Sequence, residues 1–290
     1  MAEWEDGYWW SKDGLRLHYR DYPGSARGKQ LPIICIPGLT RNARDFGELA
    51  DRLAGKRRII VVELRGRGES ERAKDPMSYV PATYLEDLTA FIAQKALDRF
   101  ILFGTSLGGL LSILITATQP GKVAGVLLND IGPEIDAAGL NRIKNYVGRA
   151  SSFPTWLHAA RALAELHRVA YPDYGLESWL AMAKRLCRLT AAGRIVTDYD
   201  GAISEPFRVP GNEAPADLWP LLDAMKSIPS LLLRGDRSDI LSAATADRMA
   251  ATLPLMDRVE IARVGHAPTL FEPESEAAID RLLARIAKAG

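Results

Sequence analysis

The ten residues Phe100-Ile-Leu-Phe-Gly-Thr-Ser-Leu-Gly-Gly109 constrain the fold of this chain more than any other stretch. Phe100, Ile101, Leu102 and Phe103 form a short apolar run that reads as a strand buried on both faces, and Gly104 follows as a turn signal. Leu107, Leu110, Leu111, Leu114 and Ile115 then recur at i, i+3, i+4, i+7 and i+8, one face of a helix packed on a sheet. A strand that turns directly into a helix belongs to a parallel sheet, and Ser106 stands at the bend. Gly104-Thr105-Ser106-Leu107-Gly108 fits Gly-x-Ser-x-Gly in that context. Such a turn projects the serine hydroxyl clear of its surroundings, and the flanking glycines remove side chains that would collide there. The first amides of the helix have no intrahelical partner, so the Leu107 N–H is a donor aimed at a developing oxyanion.

The rest of the chain supplies the sheet. Tyr8 to Arg20 reads as an antiparallel hairpin around Lys12-Asp13-Gly14. Leu31–Ile36, Ile59–Glu63, Val123–Asn129, Ser230–Arg234 and Val259–Ala262 read as further strands. Helical spacing appears over Ala43–Leu53, Pro81–Leu97, Ala243–Leu253 and the C-terminal Ile279, Leu282, Leu283 and Ile286. The alternation implies an α/β fold, a mainly parallel twisted sheet with helices on both faces and right-handed crossovers, whose site lies at the carboxyl ends of the strands. Strand periodicity stops between about Glu134 and Trp219, which predicts an inserted helical cap at 134–216 on a core of 1–133 and 217–290.

Composition narrows the function. Thirty-seven Lys and Arg against 36 Asp and Glu leave no bulk field for a polyanion, so neither nucleic acid nor an anionic membrane is an expected partner. The acidic, aromatic N-terminus lacks a signal-peptide pattern and no apolar run reaches membrane-span length, which points to the cytoplasm. Cys35 and Cys187 sit in apolar patterns and read as buried free thiols, and the four histidines show no metal-ligand spacing. The expectation is therefore no metal, no cofactor, and a small-molecule substrate met by a monomer or homodimer.

A serine needs a base to take its proton and an acid to orient that base. His266, between Gly265 and Ala267-Pro268, follows the last predicted strand and is the expected base, whereas His18, His158 and His167 read as structural or surface residues. Two acids follow predicted strands, Asp130 and Asp239. Asp239 is the expected acid, in the order Ser106, Asp239, His266, because Asp130 opens the cap and reads as a residue that bonds loop amides; Asp130 is the alternative acid. The charged Arg65-Gly66-Arg67-Gly68-Glu69-Ser70 stretch reads as a tight connection with solvated charges.

With these pieces in place the chain resembles the α/β-hydrolase superfamily over essentially its whole length, through Ile36-Pro37-Gly38, Arg65 to Ser70, the Gly104 to Gly109 elbow, Gly235 to Asp239 and Gly265-His266. The resemblance implies Ser106 as nucleophile, Asp239 and His266 as its partners, and an oxyanion hole from the backbone N–H groups of Leu39 and Leu107. Two positions depart from the pattern: Pro37 stands where many members have histidine, and Glu63 where many have aspartate. The implied chemistry is ester hydrolysis through an acyl-enzyme. Lactone or carbon-carbon bond hydrolysis of a carboxylated substrate, or a non-catalytic ligand-binding homologue, are the alternatives. Tyr146, Phe153, Trp156 and Trp179 predict an apolar pocket under the cap, an expectation that Arg41 or Arg44 would overturn by turning toward the substrate.

Overall fold

The computed structural model describes residues 2–25, 30–149, 151–209 and 217–289 of the 290-residue chain. Its frame is an eight-stranded sheet in the order β1-β2-β4-β3-β5-β6-β10-β11. β1 (Glu5–Trp10), β2 (Arg16–Tyr22) and β4 (Ile59–Val62) pair antiparallel at one side. From β4 onward through β3 (Ile33–Ile36), β5 (Phe100–Thr105), β6 (Val123–Asn129), β10 (Ser230–Gly235) and β11 (Met256–Ile261) every pairing is parallel.

The two-residue period of the strands sorts their side chains between two cores. Ile34, Ile36, Ile60, Val62 and Leu102 face one cluster, covered by α2 (Pro81–Gln94), α3 (Leu107–Thr118) and α7 (Ala243–Thr252). Ile33, Cys35, Ile59, Val61, Ile101 and Phe103 face the other, covered by α1 (Gly47–Leu53) and α8 (Pro273–Ala289). Both faces are apolar because both are buried, which is why these strands read as unbroken hydrophobic runs.

Between β6 and β10 lies an insertion with α4 (Ala137–Tyr146), α5 (Trp156–His167) and α6 (Leu176–Leu186). It is not purely helical. β7 (Ser152–Phe153), β8 (Cys187–Leu189) and β9 (Ile195–Thr197) form a small antiparallel sheet in the order β7-β9-β8, and runs of two or three residues are too short to show alternation in a sequence. The expected end of the insertion, at 216, falls outside the described residues. Its α5 and α6 enclose a third apolar cluster around Ala160, Leu163, Trp179 and Met182.

Side chains and backbone groups hold the insertion over the strand ends. Arg44 donates to Asp198 Oδ2 at 2.6 Å and to the carbonyls of Arg185 and Cys187. The Gly265 N–H donates to the Ala170 carbonyl, and the Tyr171 hydroxyl to that of Ala267 at 2.8 Å. The Arg65–Ser70 connection departs from the solvated expectation, since Arg65 and Arg67 are fully buried. Arg65 forms two-pronged pairs with Asp87 and Asp13, so its charge is neutralised inside the protein. Both cysteines are free and buried.

Candidate active site

Ser106 occupies the turn between β5 and α3 at φ 53° and ψ −118°, a strained left-handed conformation for a residue with a side chain. The strain is imposed by packing on both sides. A Cβ at Gly104 would run into the Gly108 carbonyl, and one at Gly108 into the Ile36 carbonyl, so only glycine lets α3 start this close to β3 and β5. Ser106 Oγ lies 2.8 Å from His266 Nε2. His266 Nδ1 lies 2.7 Å from Asp130 Oδ2, and Asp130 is fully buried. Asn129, which sequence reasoning passed over, ties the three loops together: its amide donates to Thr105 Oγ1 and to the Pro268 carbonyl, and its own carbonyl accepts from the Ser106 N–H.

The carboxylate against His266 is that of Asp130 rather than the expected Asp239. Asp239 does not reach His266; its carboxylate takes Arg142 Nε at 2.5 Å and Nη2 at 2.8 Å. Burial would raise the Asp239 carboxyl, but the Arg142 guanidinium outweighs it and holds the group below the usual range. Asp130 is held by the neighbouring strand instead, accepting from the Gly235 N–H at 3.0 Å and the Ser238 hydroxyl at 2.6 Å as well as facing His266. Because β6 and β10 are adjacent in the sheet, both carboxylates end up close to the histidine, and only the packing decides which one meets it.

The Leu39 and Leu107 N–H groups form no hydrogen bond among the described residues. Leu107 opens α3, and Gly38 presents to Ser106 the space of its missing side chain, with Ser106 Cβ 3.6 Å from that point. The loop that carries Leu39 is tied down by Arg67. Arg67 Nε donates to the Leu39 carbonyl at 2.9 Å and Nη1 to the Arg65 carbonyl, and the guanidinium lies over the Tyr84 ring. Glu63 likewise earns its extra methylene: one oxygen accepts from the Ala43 N–H, the other from the Glu69 N–H, and His18 Nδ1 sits 2.9 Å away.

Of the expected pocket residues, Phe153, Trp156 and Trp179 pack within the insertion's own apolar cluster, where burying their rings stabilises that layer. Tyr146 packs against the main core. The ideal Cβ position of Gly38 lies 3.4 Å from Arg41 Cγ, so Arg41 and Ser106 flank one glycine. Arg44 is committed to Asp198. His167, read from the sequence as structural or surface, is buried, and so is the cap aromatic Tyr171. His167 is buried at the end of α5, edge-on to Tyr146 with ring centroids 5.6 Å apart, and burial together with the charges of Arg41, Arg142 and His266 pushes its pKa down to about 3. Its imidazole is therefore neutral at pH 7. Arg41, Thr105, Tyr171 and Ala267 line a cavity of about 30 Å³, room for little more than water. A larger polar cleft of about 240 Å³ beside Arg72, Arg188 and Tyr199 includes neither Ser106 nor His266. Among the described residues no His, Cys, Asp and Glu group is arranged to hold a metal ion, and no helix is long and apolar enough to cross a membrane.

The alpha/beta hydrolase family profile matches residues 33–281. The chain belongs to the alpha/beta hydrolase family. This alpha/beta hydrolase is 54% identical to one from Novosphingobium aromaticivorans whose crystal structure superposes with a TM-score of 0.93, over 98% of this chain and 99% of that one. It is 31% identical over 271 residues to the 3-hydroxybutyrate-oligomer hydrolase of Cupriavidus necator, covering 89% of each. It is 26% identical to the 2-(acetamidomethylene)succinate hydrolase of Mesorhizobium japonicum, covering 86% of each. These three relatives are hydrolases.

Proposed function

We propose that this alpha/beta hydrolase is a serine esterase acting on short esters of small hydroxyacids. The observation that carries the reading is the unbroken line from Asp130 through His266 to Ser106 Oγ, with contacts of 2.7 and 2.8 Å. In the reaction Ser106 Oγ attacks the ester carbonyl carbon while His266 Nε2 takes its proton. Negative charge grows on the carbonyl oxygen, where the N–H groups of Leu39 and Leu107 are the donors. The acyl C–O bond then breaks, the leaving alkoxide takes the proton from His266, and the acyl group stays on Ser106. A water deprotonated by His266 releases it as the free acid. Asp130, buried against His266 Nδ1, holds the imidazole tautomer and stabilises the imidazolium.

The similarity to a 3-hydroxybutyrate-oligomer hydrolase over 89% of both chains makes short 3-hydroxybutyrate oligomers the first substrates to assay. The expected result is release of 3-hydroxybutyrate, covalent labelling by a fluorophosphonate, and loss of both in Ser106→Ala, with turnover falling on the order of 10⁶-fold. Wild-type turnover or labelling by Ser106→Ala refutes the nucleophile. A wild-type protein that neither labels nor hydrolyses any ester refutes the enzymatic reading altogether.

A further inference from the structure

The turn after β10, from Gly235 to Leu241, grips Asp130 by both carboxylate oxygens. Asp130 stands at φ 57°, left-handed backbone that a residue with a side chain adopts only where its surroundings impose it. Its N–H donates to the Leu233 carbonyl at 2.8 Å, its Oδ1 accepts from the Gly235 N–H at 3.0 Å, and its Oδ2 meets the Ser238 hydroxyl at 2.6 Å. The chemistry of a hydroxyl gives that last bond its direction. Ser238 Oγ has one proton and two lone pairs, and it already accepts from the Ile240 N–H at 3.3 Å and the Leu241 N–H at 3.1 Å. With both lone pairs taken, Ser238 can only donate to Asp130. The oxygen that receives this proton is the same Oδ2 that lies 2.7 Å from His266 Nδ1.

We propose that Ser238 is a positioning residue for the reaction: its hydroxyl keeps Asp130 an acceptor toward His266, and so fixes which ring nitrogen of the histidine carries the proton. This rests on the esterase reading above. Two donors aimed at the carboxylate, the Gly235 N–H and the Ser238 O–H, favour an Asp130 that also accepts from His266, which places the shared proton on Nδ1. Nε2 is then bare toward Ser106 Oγ, 2.8 Å away, the state in which His266 takes the hydroxyl proton. Ser238 acts through Asp130 alone. Without its O–H, Oδ2 keeps only His266, so the carboxylate loses one of the bonds that fix its plane and concentrates its charge on the imidazolium. The first effect lowers kcat, and the second holds the proton on the ring to higher pH.

The test measures kcat and KM on p-nitrophenyl butyrate across pH, with thermal melting, for Ser238→Ala, Ser238→Thr and Ser242→Ala. Ser238→Ala is expected to lower kcat by about tenfold to hundredfold, the range of one hydrogen bond to a charged group, with KM within about twofold of wild type. The acid limb of its kcat profile moves to higher pH. Ser238→Thr keeps the hydroxyl and retains most of the rate. Ser242→Ala removes a neighbouring hydroxyl that caps α7 through the Thr245 N–H, so it melts earlier and keeps the wild-type rate and profile. Ring-nitrogen NMR of histidine-labelled protein, with the signal assigned by its loss in His266→Gln, reads the tautomer with no ester present. Wild type carries the proton on Nδ1, and Ser238→Ala mixes in the Nε2–H form. A Ser238→Ala within about threefold of wild type in kcat overturns the proposal. So does an unmoved acid limb, a Ser238→Thr as slow as Ser238→Ala, an equal loss in Ser242→Ala, or a wild-type proton on Nε2. Hydrolysis of p-nitrophenyl butyrate by wild type and its loss in Ser106→Ala test the parent reading, and the ring-nitrogen spectra decide for Ser238 even where no ester is turned over.

Discussion

Replacing Asp130 with asparagine changes one atom and, on this geometry, disables the base. Asp130 Oδ1 accepts from the Gly235 N–H at 3.0 Å, while Oδ2 faces the Ser238 hydroxyl at 2.6 Å and His266 Nδ1 at 2.7 Å. In Asp130→Asn the amide oxygen must stay on the Gly235 N–H, because an NH₂ there would oppose another donor. The NH₂ therefore points at His266 Nδ1 and donates to it, which moves the ring proton to Nε2. That nitrogen lies 2.8 Å from Ser106 Oγ and now offers a proton instead of accepting one. Loss of the correct tautomer costs about 10⁴ in kcat, or about 5.5 kcal/mol of barrier at 1.36 kcal/mol per decade. Asp239→Asn breaks a half-exposed pair with Arg142, an interaction worth about 0.2–1 kcal/mol, so kcat falls less than about fivefold. The assay is steady-state kcat on p-nitrophenyl butyrate, with thermal melting to confirm that both variants fold. A folded Asp130→Asn within tenfold of wild type, or an Asp239→Asn slower than it, refutes the assignment of Asp130 as the orienting acid.

His18 is buried between Glu63 and Asp6; burial alone would lower its pKa, but the two carboxylates outweigh it and raise it above 6.5. A raised base stabilises the fold fully below its unfolded pKa and loses that contribution as pH rises through the folded value. The melting-temperature advantage of wild type over His18→Gln is therefore largest below about pH 6.5 and shrinks toward alkaline pH; a constant difference refutes the ion pair. Gly108→Ala places a Cβ against the Ile36 carbonyl and is expected to destabilise by about 3 kcal/mol in chemical denaturation, whereas Gly175→Ala, which meets nothing, stays within about 0.5 kcal/mol.

The elbow was legible in the sequence because its signal is local: an apolar run, two glycines and a helical stripe within ten residues oblige Ser106 to sit at the bend. His266 was legible because glycine precedes it and proline follows two residues on, after a strand. The choice of acid was not. Asp130 and Asp239 both follow strands, and what separates them is a pair of partners on other elements: Ser238 and the Gly235 N–H for one, Arg142 for the other. The charges of Arg65 and Arg67 read as solvated because nothing local reveals that Asp13, Asp87 and the Leu39 carbonyl will converge on them. The same holds for Trp179, whose ring packs with Tyr171 and Tyr174 inside the insertion's own cluster. In each case the residue's chemistry was visible and its partner, distant in sequence, was not.

Within the insertion α5 and α6 have an apolar cluster of their own, and polar links such as Arg44 with Asp198 and the Tyr171 hydroxyl with the Ala267 carbonyl tie that layer down, whereas Ile143, Val147 and Ile203 join the main core. A layer with its own core and a mainly polar seam loosens without melting what lies beneath it. Loosening of that layer uncovers the half-buried Ser106 further while Asp130, Asn129 and the strands behind them keep their register. In hydrogen-exchange terms the chain has two clocks: amides of α5 and α6 trade with solvent on the time of the seam, and those of β5 and β6 on the time of global unfolding. A reagent that raises ionic strength weakens the Arg44 pair and quickens the first clock, leaving the second where it was.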